Sequence, residues 1–124
     1  MQVKQVIVFR KDLNCRKGKI AAQAAHACQK DLLQLYLSGV KPEDFDEEQK
    51  AYYLGIFRKI CVYVKSEQEL LDVHNAALAA GLKSYLIEDN GLTEFHGVKT
   101  KTCIAIGPHA DERINPITGH LPLY

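Results

Sequence analysis

The sequence predicts a single α/β domain with a small mixed β-sheet, and three observations lead to this prediction. Runs rich in β-branched residues alternate along the chain with stretches of helical periodicity. Glycine, proline and asparagine separate these runs, as expected for turns. The 124 residues, 47% of them hydrophobic, suffice for one domain with a packed core. We therefore expect residues 1–124 to fold as one domain.

The first half of the chain predicts a strand, a loop and a long helix. VKQVIVFR at 3–10 is rich in β-branched residues and predicts a buried strand. Turn formers in 11–18 predict a loop, and helical periodicity then runs over 19–37. Gly39 provides a left-handed helix cap. Residues 40–55, with Pro42 and many acidic side chains, predict a short second helix or an ordered flap.

The second half predicts one capped helix and three strands. Ser66 and Glu69 have the spacing of a capping box, so a helix is expected from there to Gly81. Gly107-Pro108 is expected to end the last strand, with a short helical turn and a tail after it. Helical crossovers join the first three strands, which should therefore be parallel. The strands of this half are predicted at 57–65, 84–89 and 102–108.

The net charge is only +1, but the charges are unevenly distributed. Lysine and arginine outnumber acidic residues in 1–31, whereas KPEDFDEEQK at 41–50 is strongly acidic. A basic segment of this kind is compatible with a nucleic-acid-binding surface. An ordinary solvated surface would produce the same pattern, so charge alone leaves both interpretations open.

Composition argues against a membrane protein, a metal site and a disulfide framework. No apolar run reaches the ~18 residues that a membrane helix needs, and the first residues do not form a signal peptide. The four cysteines lie far apart and form no CxxC pair, and the five histidines have no close pair or acidic partner. We therefore expect reduced thiols in a cytoplasmic protein without a metal site.

Three cations crowd the predicted start of the first helix. Arg16, Lys17 and Lys19 lie where the helix dipole is already positive, which is unfavourable unless an anion binds there. Free backbone N–H groups at a helix start bind anions, and Gly18 would let a ligand approach closely. The spacing does not match a Walker loop. The segment therefore indicates a phosphate or carboxylate site without a nucleotide motif.

A polar stripe continues along this helix from its first turn. Lys19, Gln23, His26 and Lys30 fall on one side at helical spacing. The opposite side carries small or apolar residues, and we expect that side to pack closely on the sheet. Any amphipathic surface helix shows such a stripe, so this pattern is a weaker signal than the cations. The small or apolar residues are Ala21, Ala24, Ala25, Cys28 and Leu32.

Asp89 ends the third predicted strand, and Lys19 follows the first. If both strands are parallel, their carboxyl ends open at one edge of the sheet, where the two side chains can meet. A carboxylate there can act as a general base or orient a water, and an ammonium can stabilise an oxyanion. Two alternatives stay open: a salt bridge between loops, or an aspartate that caps the Asn90-Gly91 turn.

Three segments resemble the second, archaeal and eukaryotic, type of peptidyl-tRNA hydrolase. They are RKDLNCRKGKIAAQAAHA, SEQELLDVHNAALAAGLKSYLIEDNGLTEF and CIAIGPHADERINPITGHLPL, which follow in order over nearly the whole chain. The combination of KGKxxAQxxHA, DxGxT and a final TGHL is more specific than any one piece. The resemblance implies a compact α/β domain with a four-stranded mixed β-sheet flanked by helices on both faces. It also implies hydrolysis of the peptidyl-tRNA ester without a cofactor, which recycles tRNA.

The resemblance implies roles for individual residues as well. Lys19, Asp89 and Thr93 match the proposed catalytic positions of the family. Six further residues match or adjoin polar positions where substrate would bind, and a homodimer is plausible by resemblance. Those six residues are Arg16, Lys17, Gly18, Gln23, His26 and Lys30.

Two departures from the family pattern lie beside the aspartate. Family members commonly have arginine before it and alanine after it, where this chain has Glu88 and Asn90. An extra carboxylate at Glu88 would weaken tRNA binding, raise the pKa of Asp89 or point away without effect. These departures motivate the alternative of a non-catalytic RNA- or protein-binding module on the same fold. Hydrolysis of a different ester or amide with an anionic handle is a third, weaker alternative.

Overall fold

The computed structural model describes all residues, 1–124, as one compact α/β domain. Its four strands form a single sheet in the order β2-β1-β4-β3. None of its helices is both long and apolar enough to cross a membrane. The elements are β1 (Val3–Arg10), α1 (Lys17–Leu37), α2 (Glu47–Tyr53), β2 (Lys59–Val64), α3 (Glu67–Ala79), β3 (Ser84–Asp89), β4 (Thr100–Ala110) and α4 (Asp111–Thr118).

The sheet is mixed, as the sequence predicted. β1 pairs with β2 in parallel, and β4 runs antiparallel to both β1 and β3. The first three strands therefore point the same way, and the predicted parallel direction is confirmed. It follows that β1 and β3 end at the same edge of the sheet, where the segments after Arg10 and Asp89 begin.

Helices cover both faces of this sheet. On one face α3 and α4 enclose a core of aliphatic side chains that includes Val8, Leu70 and Ile104. On the other face α1 packs on a smaller core that includes Phe9, Ala27 and Ile87. Fully burying each large side chain of this kind contributes roughly 1.5–3 kcal/mol, so the two cores hold the helices against the sheet.

Two helix starts agree with the capping residues in the sequence. The Ser66 hydroxyl accepts a hydrogen bond from the Glu69 N–H at 3.0 Å, which confirms the predicted N-cap of α3. The Glu69 carboxylate, however, accepts from Lys65 rather than completing a capping box with Ser66. In the uncertain 40–55 region, Asp46 and Gln49 form a full capping box at the start of α2. The alternative of a short helix is therefore confirmed there.

The predicted boundaries are wrong at the start of α1 and at the end of β4, and the structure adds one contact of the tail that was not predicted. α1 begins at Lys17 rather than at residue 19, and the preceding loop contains a short 3₁₀ turn at Lys11–Leu13. β4 continues through Gly107-Pro108 to Ala110, because a register shift against β1 accommodates these two residues. The tail after α4 is also not free, since Leu123 forms a bridge with Val62 on β2.

α1 is rotated about its axis relative to the predicted orientation, so that only part of the predicted polar stripe is exposed. Its buried residues are Gln23, Ala27 and Asp31, with Lys19 half-buried on the same side. The predicted contact face with small side chains is mostly exposed, and only Ala24 and Cys28 of that set pack against the core. The reason is that each buried polar side chain finds a hydrogen-bond partner, which removes the cost of burying it. The exposed members of the predicted contact face are Ala21, Ala25 and Leu32.

Candidate active site

Lys19, Asp89 and Thr93 meet at the edge where β1 and β3 end. The Lys19 Nζ donates hydrogen bonds to Asp89 Oδ1 and to Thr93 Oγ1, each at 2.9 Å. Lys19 comes from the first turn of α1, Asp89 from the last position of β3, and Thr93 from the loop that follows. The predicted proximity of the ammonium and the carboxylate is therefore present, and the hydroxyl joins them.

Gly91 shapes the loop that carries Thr93. Its φ of +81° lies in the left-handed region, and an added Cβ would lie 2.3 Å from the Val98 carbonyl oxygen. Its carbonyl accepts a hydrogen bond from the Gly97 N–H at 2.8 Å, so the loop folds back on itself. Only glycine fits such a close approach with this backbone conformation. The Asn90-Gly91 turn in the sequence thus places Thr93 beside Lys19.

Asp89 is held as an anion by its surroundings. Burial acts to raise the pKa of its carboxyl, but hydrogen bonds from Lys19, Gly91 and Gln23 and the charge of Lys19 outweigh burial and lower that pKa. The Gly91 N–H donates to Asp89 Oδ2 at 2.8 Å, so Asp89 also caps its own turn. Both alternatives from the sequence, the salt bridge and the turn cap, therefore describe real contacts of this carboxylate.

The cluster keeps unused hydrogen-bonding capacity and is open to solvent. A lysine ammonium has three N–H donors, and two of those on Lys19 are engaged by Asp89 and Thr93. The side chains of Lys19 and Asp89 are 12% and 14% exposed. One ammonium proton therefore remains to stabilise negative charge on a bound molecule, and the carboxylate can still accept from a water.

Gln23 belongs to this cluster and connects it to the core. Its Nε2 donates to Asp89 Oδ1 at 3.2 Å, and its Oε1 accepts from the Thr102 hydroxyl at 2.7 Å. Gln23 is 4% exposed, so it fixes the position of Asp89 rather than lying on an open polar stripe. Sequence reasoning missed Thr102 because nothing in a strand sequence distinguishes a threonine that donates to a helix from any other strand threonine.

The three residues at the start of α1 form the exposed side of the site. Arg16 is the N-cap without a side-chain cap, and its guanidinium is 90% exposed. Its Nε lies 3.9 Å from Glu94, a carboxylate that sequence reasoning did not single out. Lys17 and Gly18 are exposed in the first turn, which contains no acidic residue. The Glu94 carboxylate also accepts a hydrogen bond from the Arg16 N–H at 3.3 Å, so it neutralises part of the charge at this helix start, while the exposed cations remain accessible to an anion.

His26 and Lys30 lie farther along α1, away from the reacting cluster. Both are exposed and line a groove of about 290 Å³ between α1 and the end of β3. The groove ends at Asp89, so these residues adjoin the site without touching Lys19 or Thr93. Glu88, one of the two family departures, has its carboxylate 3.7 Å from Lys101. Of the outcomes considered for Glu88, pairing away from Asp89 is the one present.

The structure brings together no group of three or more histidine, cysteine, aspartate or glutamate side chains that would hold a metal ion. The four cysteines are free thiols. The expectation that no histidine has an acidic partner is wrong for His109, which lies in β4. Its Nδ1 is 2.9 Å from Glu48 Oε1, while its Nε2 accepts from the Lys83 N–H. Both ring nitrogens are thus occupied by structural hydrogen bonds.

Nearly the whole chain is similar to one family of known proteins. The family described as Peptidyl-tRNA hydrolase PTH2 matches residues 3–124. A peptidyl-tRNA hydrolase of Methanopyrus kandleri is 42% identical over 120 residues, which cover 97% of each chain. One of Methanothermobacter thermautotrophicus is 41% identical over 121 residues, 98% of this chain and 99% of that relative. A solved structure from Agrobacterium tumefaciens, of unknown function, shares the fold with a TM-score of 0.63 and 12% identity, covering 100% of this chain and 98% of that one.

Proposed function

This chain belongs to the peptidyl-tRNA hydrolase family described as PTH2, and we propose that residues 1–124 act as one such hydrolase domain. Its reaction is hydrolysis of the ester between a peptide and tRNA, with Lys19, Asp89 and Thr93 as the catalytic residues. The observation that carries this assignment is the Lys19 ammonium, which bridges Asp89 and Thr93 and keeps one donor free. That donor is available to the charge that develops when an ester is attacked.

The reaction requires water to attack the carbonyl carbon of the ester. A new bond forms between the water oxygen and this carbon, and the carbonyl oxygen becomes negatively charged. The free N–H of Lys19 stabilises that oxyanion. When the intermediate collapses, the bond from carbon to the ribose oxygen breaks, and the ribose oxygen takes up one proton of the attacking water. The other water proton passes to solvent from the new carboxyl group. The products are a peptide with a free carboxylate and a tRNA with a free hydroxyl.

Asp89 orients the attacking water in this proposal. Its lowered pKa makes it a weak base, so full removal of a proton before attack is unfavourable. Its oxygens accept from Lys19, Gln23 and Gly91, which leaves capacity for one further donor. The Thr93 hydroxyl, held by Lys19, provides a second contact for the water or the ester oxygen. Gln23 is a positioning residue, since it acts through Asp89.

The cationic start of α1 is proposed to bind tRNA phosphates. Arg16, Lys17 and the backbone N–H groups of the first turn around Gly18 lie next to Lys19. Phosphates there would offset the repulsion between the cations and the helix dipole. Binding that depends on phosphate contacts weakens steeply with salt, because it releases condensed counterions.

The test is hydrolysis of an N-acetylated aminoacyl-tRNA by the purified protein. We expect wild type to release free tRNA far faster than buffer, and Asp89→Asn to lose at least about 100-fold in kcat/KM. Asp89→Asn keeps the shape of the side chain and removes its charge, so circular dichroism should show an unchanged fold. Salt-sensitive tRNA binding without turnover by wild type would contradict the enzyme and favour a binding module.

A homodimer is the proposed assembly, with α1 at the interface. The outer side of this helix exposes large apolar side chains, with Tyr36 at 78% and Leu37 at 73% exposed. Leu33 and Phe45 border the same surface, which forms a groove of about 460 Å³. Apolar patches of this kind commonly mark interfaces, and a two-fold contact would cover both copies. Sedimentation should give twice the chain mass for wild type and the chain mass for Tyr36→Glu.

The proposed location is the cytoplasm, where tRNA is aminoacylated and used in translation. Four free thiols are consistent with a reducing compartment. Fractionation of source cells with an antibody against the chain would test this location, and recovery of the protein from the membrane pellet would contradict it.

A further inference from the structure

The groove between α1 and β3 starts at the catalytic carboxylate and extends away from the cationic helix start. One wall consists of α1 residues, and the other is the second half of β3 with the residue that follows it. Its volume is about 290 Å³. The lining residues on α1 are Gln23, His26, Gln29, Lys30 and Leu33, and those on the other wall are Leu86, Ile87, Glu88, Asp89 and Asn90.

We infer that this groove holds the peptide part of the substrate as an additional strand beside β3. The inference rests on the proposed function, because it needs an ester bound at Lys19 and Asp89. The ester joins the peptide to the tRNA, and the cations Arg16 and Lys17 lie where the tRNA phosphates are proposed to bind. The groove on the other side of Asp89 is then the direction in which the peptide continues.

β3 offers main-chain hydrogen-bonding groups to this groove. It is the last strand in the order β2-β1-β4-β3, so its outer edge has no neighbouring strand. The Lys83 N–H donates to His109 and the Lys83 carbonyl accepts from Gly107, so both main-chain groups of Lys83 face β4. Main-chain groups alternate sides along a strand, which directs those of Ser84 and Leu86 outwards, and of these two residues Leu86 lines the groove. An extended peptide can pair with such an edge.

Recognition through the main chain suits a substrate without a fixed sequence. Peptides on tRNA differ in their side chains but share the same amide groups. The exposed amide of Gln29 on the opposite wall can both donate and accept, and so can engage main-chain groups as well, whereas the amide of Gln23 is already bonded to Asp89 and Thr102. The Glu88 carboxylate is paired with Lys101 and does not place an unpaired charge in the groove.

The length of the groove sets the number of peptide residues that it can contact. Leu33 lies ten residues after Gln23 on α1, which corresponds to roughly 15 Å at the helical rise of 1.5 Å per residue. An extended chain advances about 3.3 Å per residue, so this wall accommodates about four residues. The first few residues next to the ester should therefore contribute to binding, and residues beyond about the fourth should not.

The first experiment varies the substrate alone. kcat/KM is measured for N-acetyl-aminoacyl-tRNA and for acetylated di-, tri-, tetra- and hexapeptidyl-tRNAs of alanine. Two main-chain hydrogen bonds should raise kcat/KM about tenfold between the N-acetyl-aminoacyl and tripeptidyl substrates, with no further gain after four residues. N-methylation of the internal amides of the tripeptide removes their donors and should abolish most of this gain.

The second experiment narrows the groove. Gln29→Trp places a large ring on the α1 wall, and the ratio of kcat/KM for tripeptidyl-tRNA to that for N-acetyl-aminoacyl-tRNA should fall from about ten to about one. Gln34→Trp is the matched control, because residue 34 is exposed on the same helix but does not line the groove. The control should keep the wild-type ratio.

Three results would overturn the inference. Equal kcat/KM for all peptide lengths would remove the groove as a binding site, while hydrolysis itself would still support the proposed function. A length-dependent gain that survives N-methylation, or a Gln29→Trp ratio equal to that of Gln34→Trp, would refute strand pairing in this groove. Absence of hydrolysis for every substrate would instead refute the proposed function, and the inference with it.

Discussion

Two carboxylates lie at opposite ends of the contact between α1 and β3, and they are used differently. Asp89 is at the end where α1 begins, paired with the Lys19 ammonium and still 14% exposed on its side chain. Asp31 is near the other end of α1 and is 1% exposed. Its oxygens accept only from neutral groups, at distances of 2.5 to 3.2 Å. These groups are the hydroxyls of Tyr53 and Tyr85 and the side-chain amide of Gln49.

The difference teaches how to tell a reactive polar cluster from a structural one. Asp31 ties α1, α2 and β3 together, and no buried polar side-chain atom around it lacks a hydrogen-bond partner. Asp89 is paired with the Lys19 ammonium, which keeps one N–H donor free. Lys19 also donates to Thr93, which lies on an irregular loop. A charge pair with partial exposure and unused hydrogen-bonding capacity can act on a ligand, whereas a saturated buried carboxylate can only hold elements in place.

The largest expected effect is on catalytic activity, and it should appear at the Asp89 cluster but not at the Asp31 cluster. Lys19→Ala removes the proposed oxyanion donor, and kcat/KM for N-acetyl-aminoacyl-tRNA should fall about 100- to 1,000-fold. Asp31→Asn, the control at the other end of the contact, should stay within about threefold of wild type. Initial rates of tRNA release at one salt concentration measure both variants. Full activity of Lys19→Ala would break the comparison, because Lys19 would then be structural as well.

The second effect is on the free energy of unfolding, and it should be confined to substitutions of Asp31. Asp31→Ala leaves two tyrosine hydroxyls and one amide without an acceptor, at a cost of about 3 kcal/mol in the free energy of unfolding. Asp31→Asn keeps one acceptor oxygen and should lose only about 1 kcal/mol. Urea denaturation followed by circular dichroism measures both. A loss below 0.5 kcal/mol in Asp31→Ala, on the order of a surface substitution, would show that Asp31 does not hold the helices.

The sequence predicted Asp89 more readily than Asp31 because of where each falls in the chain. Asp89 ends a strand whose direction follows from helical crossovers, so its proximity to Lys19 followed from topology. Asp31 lies in the second half of α1, and its partners come from α2 and β3 through side-chain packing that no local pattern encodes. The sheet order could not be predicted either, since β4 inserts between β1 and β3.

The orientation of α1 shows the limit of reading amphipathicity from sequence. The rule that apolar residues face the core assigns Gln23 to the surface and Ala25 to the sheet. The structure does the reverse, because Thr102 and Asp89 satisfy the buried amide of Gln23. Partners on distant strands decide whether a polar side chain can be buried, and these partners are known only once the strands are placed.

A third effect tests the irregular loop that distinguishes Asp89 from Asp31. Gly91→Ala adds a Cβ that would lie 2.3 Å from the Val98 carbonyl oxygen, so the loop must shift and displace Thr93. Misplacement of a reacting group by about 1 Å costs up to about 100-fold, and we expect a loss of at least about tenfold in kcat/KM. Gly97→Ala is the matched control, because it has a similar φ of +78° but meets nothing within 4 Å. Equal activities of the two variants would contradict a specific role of the loop shape.

The smallest effect concerns the ion pair itself and its dependence on pH. Burial acts to raise the pKa of Asp89, but the hydrogen bonds and charge of Lys19, with those of Gly91 and Gln23, lower it below its ordinary value of 3.8. A carboxyl with a lowered folded-state pKa stabilises the protein above its unfolded-state pKa, and this contribution disappears as the pH falls through the folded value.

The pH effect is measured as the difference in unfolding free energy between wild type and Asp89→Asn. This difference should be about 1 kcal/mol or less for a partly exposed pair. It should be constant above pH 5 and shrink below pH 4, because protonation then removes the charge that the variant lacks. Glu48 and Asp46 also have lowered pKa values, but they titrate in both proteins and their contributions cancel. If this difference in unfolding free energy instead grew on acidification, Asp89 would be neutral in the folded protein. The ion pair with Lys19 would then be absent, and it could not be the feature that separates Asp89 from Asp31.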